Sequence, residues 1–532
     1  MPGRHYKTTH ETGENNVEVL GLDVHNPVFF IAAVLVISFI SLTLVFPDSA
    51  SAILFASRDW VLATFDWLFV SAVNIIFLFA LFVMLSPLGR LRIGGRDAKP
   101  EFSTISWLAM LFSAGIGIGL MFWGAAEPLA YYTGWFGTPL GVEAETPAAH
   151  DLALSSTMFH WGLNAWSVYA ILGLALAYFT FSKGLPLTVR SAFYPLLGDR
   201  IWGWPGHLID LLAVIATLFG LATSLGLGAQ QISSGLGYIF GIEAGIGLQV
   251  AIIAFITAIA IGSVVRGLDG GVKVLSNINM AMAGMFLLFV FAVGPTLLIL
   301  TGFWDNTLNY IRDFIPLSNW IGRDDTEWFH GWTIFYWAWW ISWSPFVGMF
   351  IARISKGRTV RQFLFSVIFV PLIVTVVWFT TFGEVALLQA ETGVGELANG
   401  IDEVSLVLFH MLENLPLTSI SSLFAVVLVL IFFVTSSDSG SLVVDSITAG
   451  GKLNAPVPQR IFWASIEGLI AIVLLYGGGA QALQALQAGT IAVGLPFTIV
   501  LMVCCFSLWK GLSADSRALR VLERDEAASV KA

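Results

Sequence analysis

Apolar runs of the roughly 20 residues needed to cross a hydrocarbon core recur along this chain. They begin near Pro27, Trp60, Thr104, Asn164, His207, Leu248, Ser276, Gly331, Gln362, Ser419, Arg460 and Leu483. Twelve such segments cannot be hidden from water in one soluble core, so the fold expected is an all-α integral membrane protein with about 12 transmembrane helices. Composition agrees, with 57% of the 532 residues hydrophobic and only 11% charged. An even number of spans places both termini on the same side.

Positive charge collects in cytoplasmic loops, so the basic residues test that topology independently. Of the 25 Lys and Arg residues, all but Arg58, Arg312 and Arg323 fall in the two tails or in loops after even-numbered spans. Both termini are therefore expected in the cytoplasm, and the chain is expected in the cell (inner) membrane. The first 26 residues are polar and no small-residue cleavage site precedes the first span, so no cleaved signal peptide is expected. Cys504 and Cys505 are adjacent, a spacing that suits neither an ordinary disulfide nor a metal site, and no cofactor is expected. The net charge of −10, with acids such as Glu143, Glu145, Asp324, Asp325, Glu327, Asp402 and Glu403 in external loops, argues against a nucleic-acid partner.

The spans divide the chain into a tail (1–26), two peripheral helices and a loop (27–103), a first five-span block (104–302), an external segment (303–330), a second five-span block (331–510) and a C-terminal tail (511–532). An odd number of spans per block forces the second block to run inverted, the usual plan of secondary transporters. The inversion rests on counting, because the blocks share no convincing sequence identity. Between them, residues 306–321 mix apolar and charged positions as an amphipathic helix on the outer surface would.

Four spans in the sequence carry chemistry. In the third span Gly115, Gly117 and Gly119 fall within five residues, each weakening a helix by roughly 1 kcal/mol relative to alanine. One reading is a helix interrupted at mid-membrane, its freed backbone facing a cavity; the other is close helix packing through small residues. In the eighth span Trp332, Tyr336, Trp339, Trp340 and Trp343 fall within about 100° of one another at 100° per residue. The last three lie too far from the span ends to be an interfacial belt. In the fourth span Trp161, Trp166 and Tyr169 share an arc of about 140° on the same arithmetic. Two aromatic faces can close into a box, and ring faces attract a quaternary ammonium that has no hydrogen to donate. The alternative is an aromatic core that only packs. In the tenth span Thr435, Ser436, Ser437, Asp438 and Ser439 place five consecutive oxygen-bearing side chains after an apolar run, a hard-oxygen set of the kind sodium takes. Each hydroxyl alone is as well explained by a bond to the preceding turn.

At these residues the sequence resembles the betaine/choline/carnitine transporter family along nearly its whole length. The resemblance rests on YWAWWISWSPFVGMFIARISKGRT at 336–359, GLMFWGAAEP at 119–128 and FVTSSDS at 433–439. It implies two inverted five-helix repeats of the LeuT type preceded by two extra helices. It also implies a substrate box of Trp161, Trp166, Tyr169 and Trp340, with Trp339, Trp343 and Phe122 lining the pathway and Gly115, Gly117 and Gly119 beside it. For a sodium-coupled member it implies an ion held by Ser113, Ile116, Phe432, Thr435 and Ser436. A second ion site found in some members is matched at Thr217 and Phe346 but departs at Leu221, where Thr223 and Ser224 are the nearby substitutes. Sodium-independent exchangers of the family carry a basic residue in the fifth span, and 213–232 holds no charge. Proton-coupled choline carriers tend to have an acid where this chain has Gly119. The resemblance thus implies import of glycine betaine or a related small zwitterionic or cationic solute, with sodium as coupling ion, from a homotrimer in the bilayer.

Other classes fit less well. A membrane enzyme needs a nucleophile, metal cluster or paired carboxylates converging at one depth, and the sequence shows none. A channel needs a polar stripe through several helices, whereas the oxygens and aromatic faces here are local. His160 adjoins Trp161 and is open to either a proton role or packing. Asp210, Asp438, Asp445 and Glu467 are expected at helix ends or in buried pairs, and the sequence offers no partner for any of them.

Overall fold

The computed structural model describes residues 5–115, 117–266 and 272–531. The first two spans are Val28–Val45 and Pro47–Leu85. The first block follows: a third span in two pieces, Thr104–Gly115 and Ile118–Thr133; a fourth in two pieces, Pro147–Trp161 and Leu163–Ala177; then Trp204–Phe240, Ile246–Arg266 and Val272–Val293. The helix Thr296–Ser318 links it to the second block of Phe335–Ile354, Val360–Glu391, Thr418–Thr448, Val457–Gly478 and Ala482–Lys531. Among the described residues nine helical stretches are long and apolar enough to cross a membrane. One of them, Val457–Glu526, holds two helices that meet where Gly479 takes a φ of 52°. With the broken third span and the aromatic eighth, these make up the expected set.

Three boundaries differ from the sequence reading. The fourth span starts at Pro147 rather than near Asn164, because Thr146 caps it by accepting from the Ala149 amide at 3.2 Å with proline in the first turn. Polar residues such as His150, Asp151 and Ser155 dilute the apolar signal of that half. The second span likewise starts at Pro47, which occupies the first helical turn. The linking helix begins at Thr296, ten residues before the amphipathic stretch at 306–321.

Contacts between the blocks are reciprocal. Numbering the five spans within each block, the second span of the first block (Leu163–Ala177) packs on the first of the second block, and the first of the first block (Ile118–Thr133) packs on the second of the second. Third packs on third, Trp204–Phe240 against Thr418–Thr448, and fourth on fourth, Ile246–Arg266 against Val457–Gly478. Fifth packs on third in both directions. This is the pairing that two inverted repeats about a common pseudo-two-fold axis must give.

The centre of the bundle is the half-helix Ile118–Thr133, buried at every residue of 118–132, as a helix surrounded by others must be. The first, second, sixth and seventh spans leave apolar residues such as Val34, Leu78, Phe255 and Leu288 exposed, the face that lipid requires. One end of the bundle gathers the N-terminal hairpin (Asn16–Val19 paired with Leu22–His25), the loops around residues 91–102, 178–203 and 355–359, and the C-terminal extension of the last helix. There Lys183 pairs with Asp515 at 2.6 Å and Arg96 with Glu526 at 2.6 Å.

Candidate functional site

The third span breaks at its glycines, which decides between the two readings of that run. Thr104–Gly115 ends, Gly117 is extended (φ −161°, ψ −173°), and a new helix starts at Ile118. Ser113 and Gly115 lie in the last turn of the first piece; Ile116 lies outside the described residues. The break brings the C-terminal end of one helix and the N-terminal end of another together inside the bundle, where carbonyls carry partial negative charge and amides partial positive charge.

A cavity of about 160 Å³ opens beside the break, lined by Gly117 and Gly119 from the third span, Trp161, Trp166 and Tyr169 from the fourth, and Trp339, Trp340, Trp343 and Phe346 from the eighth. Phe432, Thr435 and Ser436 of the tenth span form its opposite wall. Sequence-separated candidates from four spans thus share one space, smaller than the ~300–1,000 Å³ of drug-sized sites.

The aromatic wall is fixed ring by ring. Trp340 meets Trp161 edge-on at 4.7 Å and stacks on Trp339 at 4.8 Å; Tyr169 stands edge-on to Trp166 at 5.3 Å and to Trp340 at 6.2 Å. Indole N–H groups anchor these rings to backbone oxygens. Trp340 Nε1 donates to the His160 carbonyl at 2.8 Å, and Trp343 and Trp339 both donate to the Gly220 carbonyl, at 2.9 and 3.3 Å. Gly119 lets the rings reach the broken helix, since a Cβ there would lie 2.5 Å from Trp161 Cη2.

The fourth span is not the straight helix on which the 140° arc was reckoned. Gly162 breaks it at φ −102°, ψ −131°, so Trp161 ends one piece and Trp166 belongs to the first turns of the next. The break is closed from outside, with Tyr310 Oη accepting from the Leu163 amide at 3.1 Å and Thr375 Oγ1 donating to the Trp161 carbonyl at 2.8 Å. A single glycine between two aromatic clusters was the only signal of it in the sequence.

On the oxygen wall, Thr435 Oγ1 donates to the Ile431 and Phe432 carbonyls at 3.0 and 3.1 Å. Its proton is spent on its own helix, so towards any ligand the oxygen is an acceptor. Ser439 of the tenth-span oxygen set and Ser224 of the fifth span also line the cavity, and Asn279 adds a polar group that the sequence reading did not place there.

Other candidates sit elsewhere. Phe122 is buried against Trp123 at 4.8 Å and forms no part of the cavity wall. Thr217 donates to the Ala213 carbonyl at 2.7 Å and stays off the wall, while Phe346 is on it. Leu221 packs under Gly440. Of its two substitutes, Thr223 turns to Thr490 of the last span at 2.6 Å, and Ser224 faces the cavity. Trp332 belongs to a π-helical turn before the eighth span and packs with Tyr131 and Trp123 behind the box.

The family model described as BCCT, betaine/carnitine/choline family transporter, matches residues 27–517. The chain belongs to the BCCT family. It is similar to a glycine betaine/proline/choline/ectoine transporter of Vibrio parahaemolyticus, 57% identical over 96% of this chain and 92% of that one. It is also similar to glycine betaine transporter 1 of the same organism, at 56% identity over 96% and 97% of the two chains. A glycine betaine transporter of Bacillus subtilis is 43% identical over 93% of this chain and 96% of its own. This BCCT protein is accordingly a multi-pass membrane transporter and not an enzyme.

Proposed function

We propose that this BCCT transporter imports glycine betaine or a closely related quaternary-ammonium solute together with sodium, by alternating access. The supporting observation is a single cavity that joins an aromatic cage to a hydroxyl wall across a broken helix. The faces of Trp161, Trp340 and Tyr169 suit a trimethylammonium group, which binds rings through charge and cannot use hydrogen-bond acceptors. The amides of the first turn at Ile118 suit the carboxylate of a zwitterion. The carbonyl end of Thr104–Gly115, with Thr435 and Ser436 opposite, suits a small hard cation. Glycine betaine leads among the solutes because the names of these three relatives all include it.

The basic end of the bundle is the cytoplasmic end by the charge rule. The helix Thr296–Ser318 then lies outside, turning Leu300, Trp304, Leu308, Ile311 and Ile315 outward as an apolar face that supports assembly as a homotrimer. Uptake into proteoliposomes, measured for glycine betaine, ectoine, proline betaine, dimethylsulfoniopropionate, choline and carnitine with and without a sodium gradient, tests the reading. Saturable betaine uptake that follows the sodium gradient is expected. Uptake undiminished in potassium that collapses with the proton gradient would refute the sodium assignment.

A further inference from the structure

Behind the cage lies a carboxylate that nothing above uses. Glu127 sits on Ile118–Thr133, two turns past the helix break, and is fully buried. Three hydroxyl or indole donors and one imidazole nitrogen converge on it. Oε1 accepts from Tyr131 Oη at 2.8 Å and lies 3.1 Å from His160 Nδ1, which is also 3.0 Å from Tyr131 Oη. Oε2 accepts from Trp161 Nε1 at 2.7 Å and from Tyr336 Oη. His160 is held in turn, its Nε2 lying 3.0 Å from Thr333 Oγ1 and its ring stacked on Tyr336 at 4.7 Å.

As a carboxylate, Glu127 has lone pairs enough to accept from both tyrosine hydroxyls, the indole and the imidazole at once. Among the described residues no Lys or Arg side chain bonds to it. That carboxylate is thus bonded to the indole N–H of Trp161, a ring that lines the cavity. A hydrogen bond from an indole N–H to an anion pushes electron density toward the ring face. The anion itself also attracts a cation held against the face of that ring, and does so strongly where water is excluded.

We propose that Glu127 is a specificity-determining residue that makes the cage select a positively charged head group over a neutral one of the same shape. The inference rests on the functional reading above. Its test compares glycine betaine with 3,3-dimethylbutanoate, which replaces the quaternary nitrogen by carbon and keeps the carboxylate. Binding of both is followed by tryptophan fluorescence of the full-length protein in detergent or nanodiscs, the isostere by competition.

In the wild type betaine should win by a large ratio, and Glu127→Gln, which keeps volume, should compress that ratio roughly tenfold. Glu127→Asp should recover part of it. Equal weakening of both solutes, the signature of a merely structural role, or an unchanged ratio would overturn the proposal. Should Glu127→Gln fail to fold, Trp161→Phe keeps a ring and removes the linking N–H. It should also lower the ratio, and an unchanged ratio there overturns the proposal equally. A wild type that binds neither solute would sink the functional reading itself, a result distinguishable from either.

Discussion

At the scale of single residues, the cage depends on rings whose edges and faces are held by fixed partners. Trp161→Ala or Trp340→Ala removes a ring face from a desolvated site, at a cost of about 2 kcal/mol. Saturable betaine uptake should fall roughly thirtyfold in apparent affinity, with membrane insertion intact by surface biotinylation. Near-normal affinity in both variants would remove the cage as the binding site. Gly119→Ala is a subtler probe, because its Cβ would come within 2.5 Å of Trp161 Cη2. The indole must tilt away from Trp340, and affinity should drop by about tenfold without loss of expression; wild-type binding would show that the ring does not need its present place. These aromatic residues were legible in the sequence because 100° arithmetic works on an unbroken helix, as in 335–354. The arithmetic failed at the fourth span for a physical reason, since one non-helical residue, Gly162, redirects everything after it. Glu127 was present in the quoted motif, but its role depends on partners from two other spans that no spacing rule brings together.

Among elements, the broken third span and the tenth span act as a pair. Thr435→Ala combined with Ser436→Ala removes two side-chain oxygens from the wall facing the break, and small hard cations depend on ligand number. Apparent sodium affinity should fall at least about tenfold while the ranking of solutes stays the same, measured as uptake against sodium concentration; unchanged sodium dependence would move the ion elsewhere. With Thr217 turned to its own helix and Leu221 buried under Gly440, one sodium per cycle is the expected stoichiometry, with a Hill coefficient of about one. The span count was readable from hydropathy because each apolar run had to be long enough to cross a bilayer. The start of the fourth span was not, because Pro147–Trp161 is buried in protein rather than lipid and so carries polar residues, such as His150 paired with Glu391, that break the apolar run.

Across the whole molecule, the N-terminal hairpin ties the two blocks together at the basic end. His25 Nε2 accepts from Arg190 at 2.8 Å and lies 3.3 Å from His207 Nδ1, while Asn16 donates to the Ala449 carbonyl at 3.0 Å. Burial, then the Arg190 charge and then His207 push His25 from its ordinary 6.5 down to about 3. The folded state therefore binds fewer protons than the unfolded one between those values, so the contribution is full above pH 6.5 and is lost as pH falls toward 3. Each pH unit in that window should cost up to about 1.4 kcal/mol. His25→Gln should flatten the dependence of melting temperature on pH between 6.5 and 5, and parallel slopes in the two proteins would refute the linkage. The reciprocal packing of the two blocks bears on turnover. Under the proposed alternating access, exchanging the conformations of the blocks would produce an opposite-facing state that keeps the same pairing of helices. Net direction in such a cycle is set by the gradients alone, so under the proposed sodium coupling reversing the ion gradient should empty a loaded vesicle.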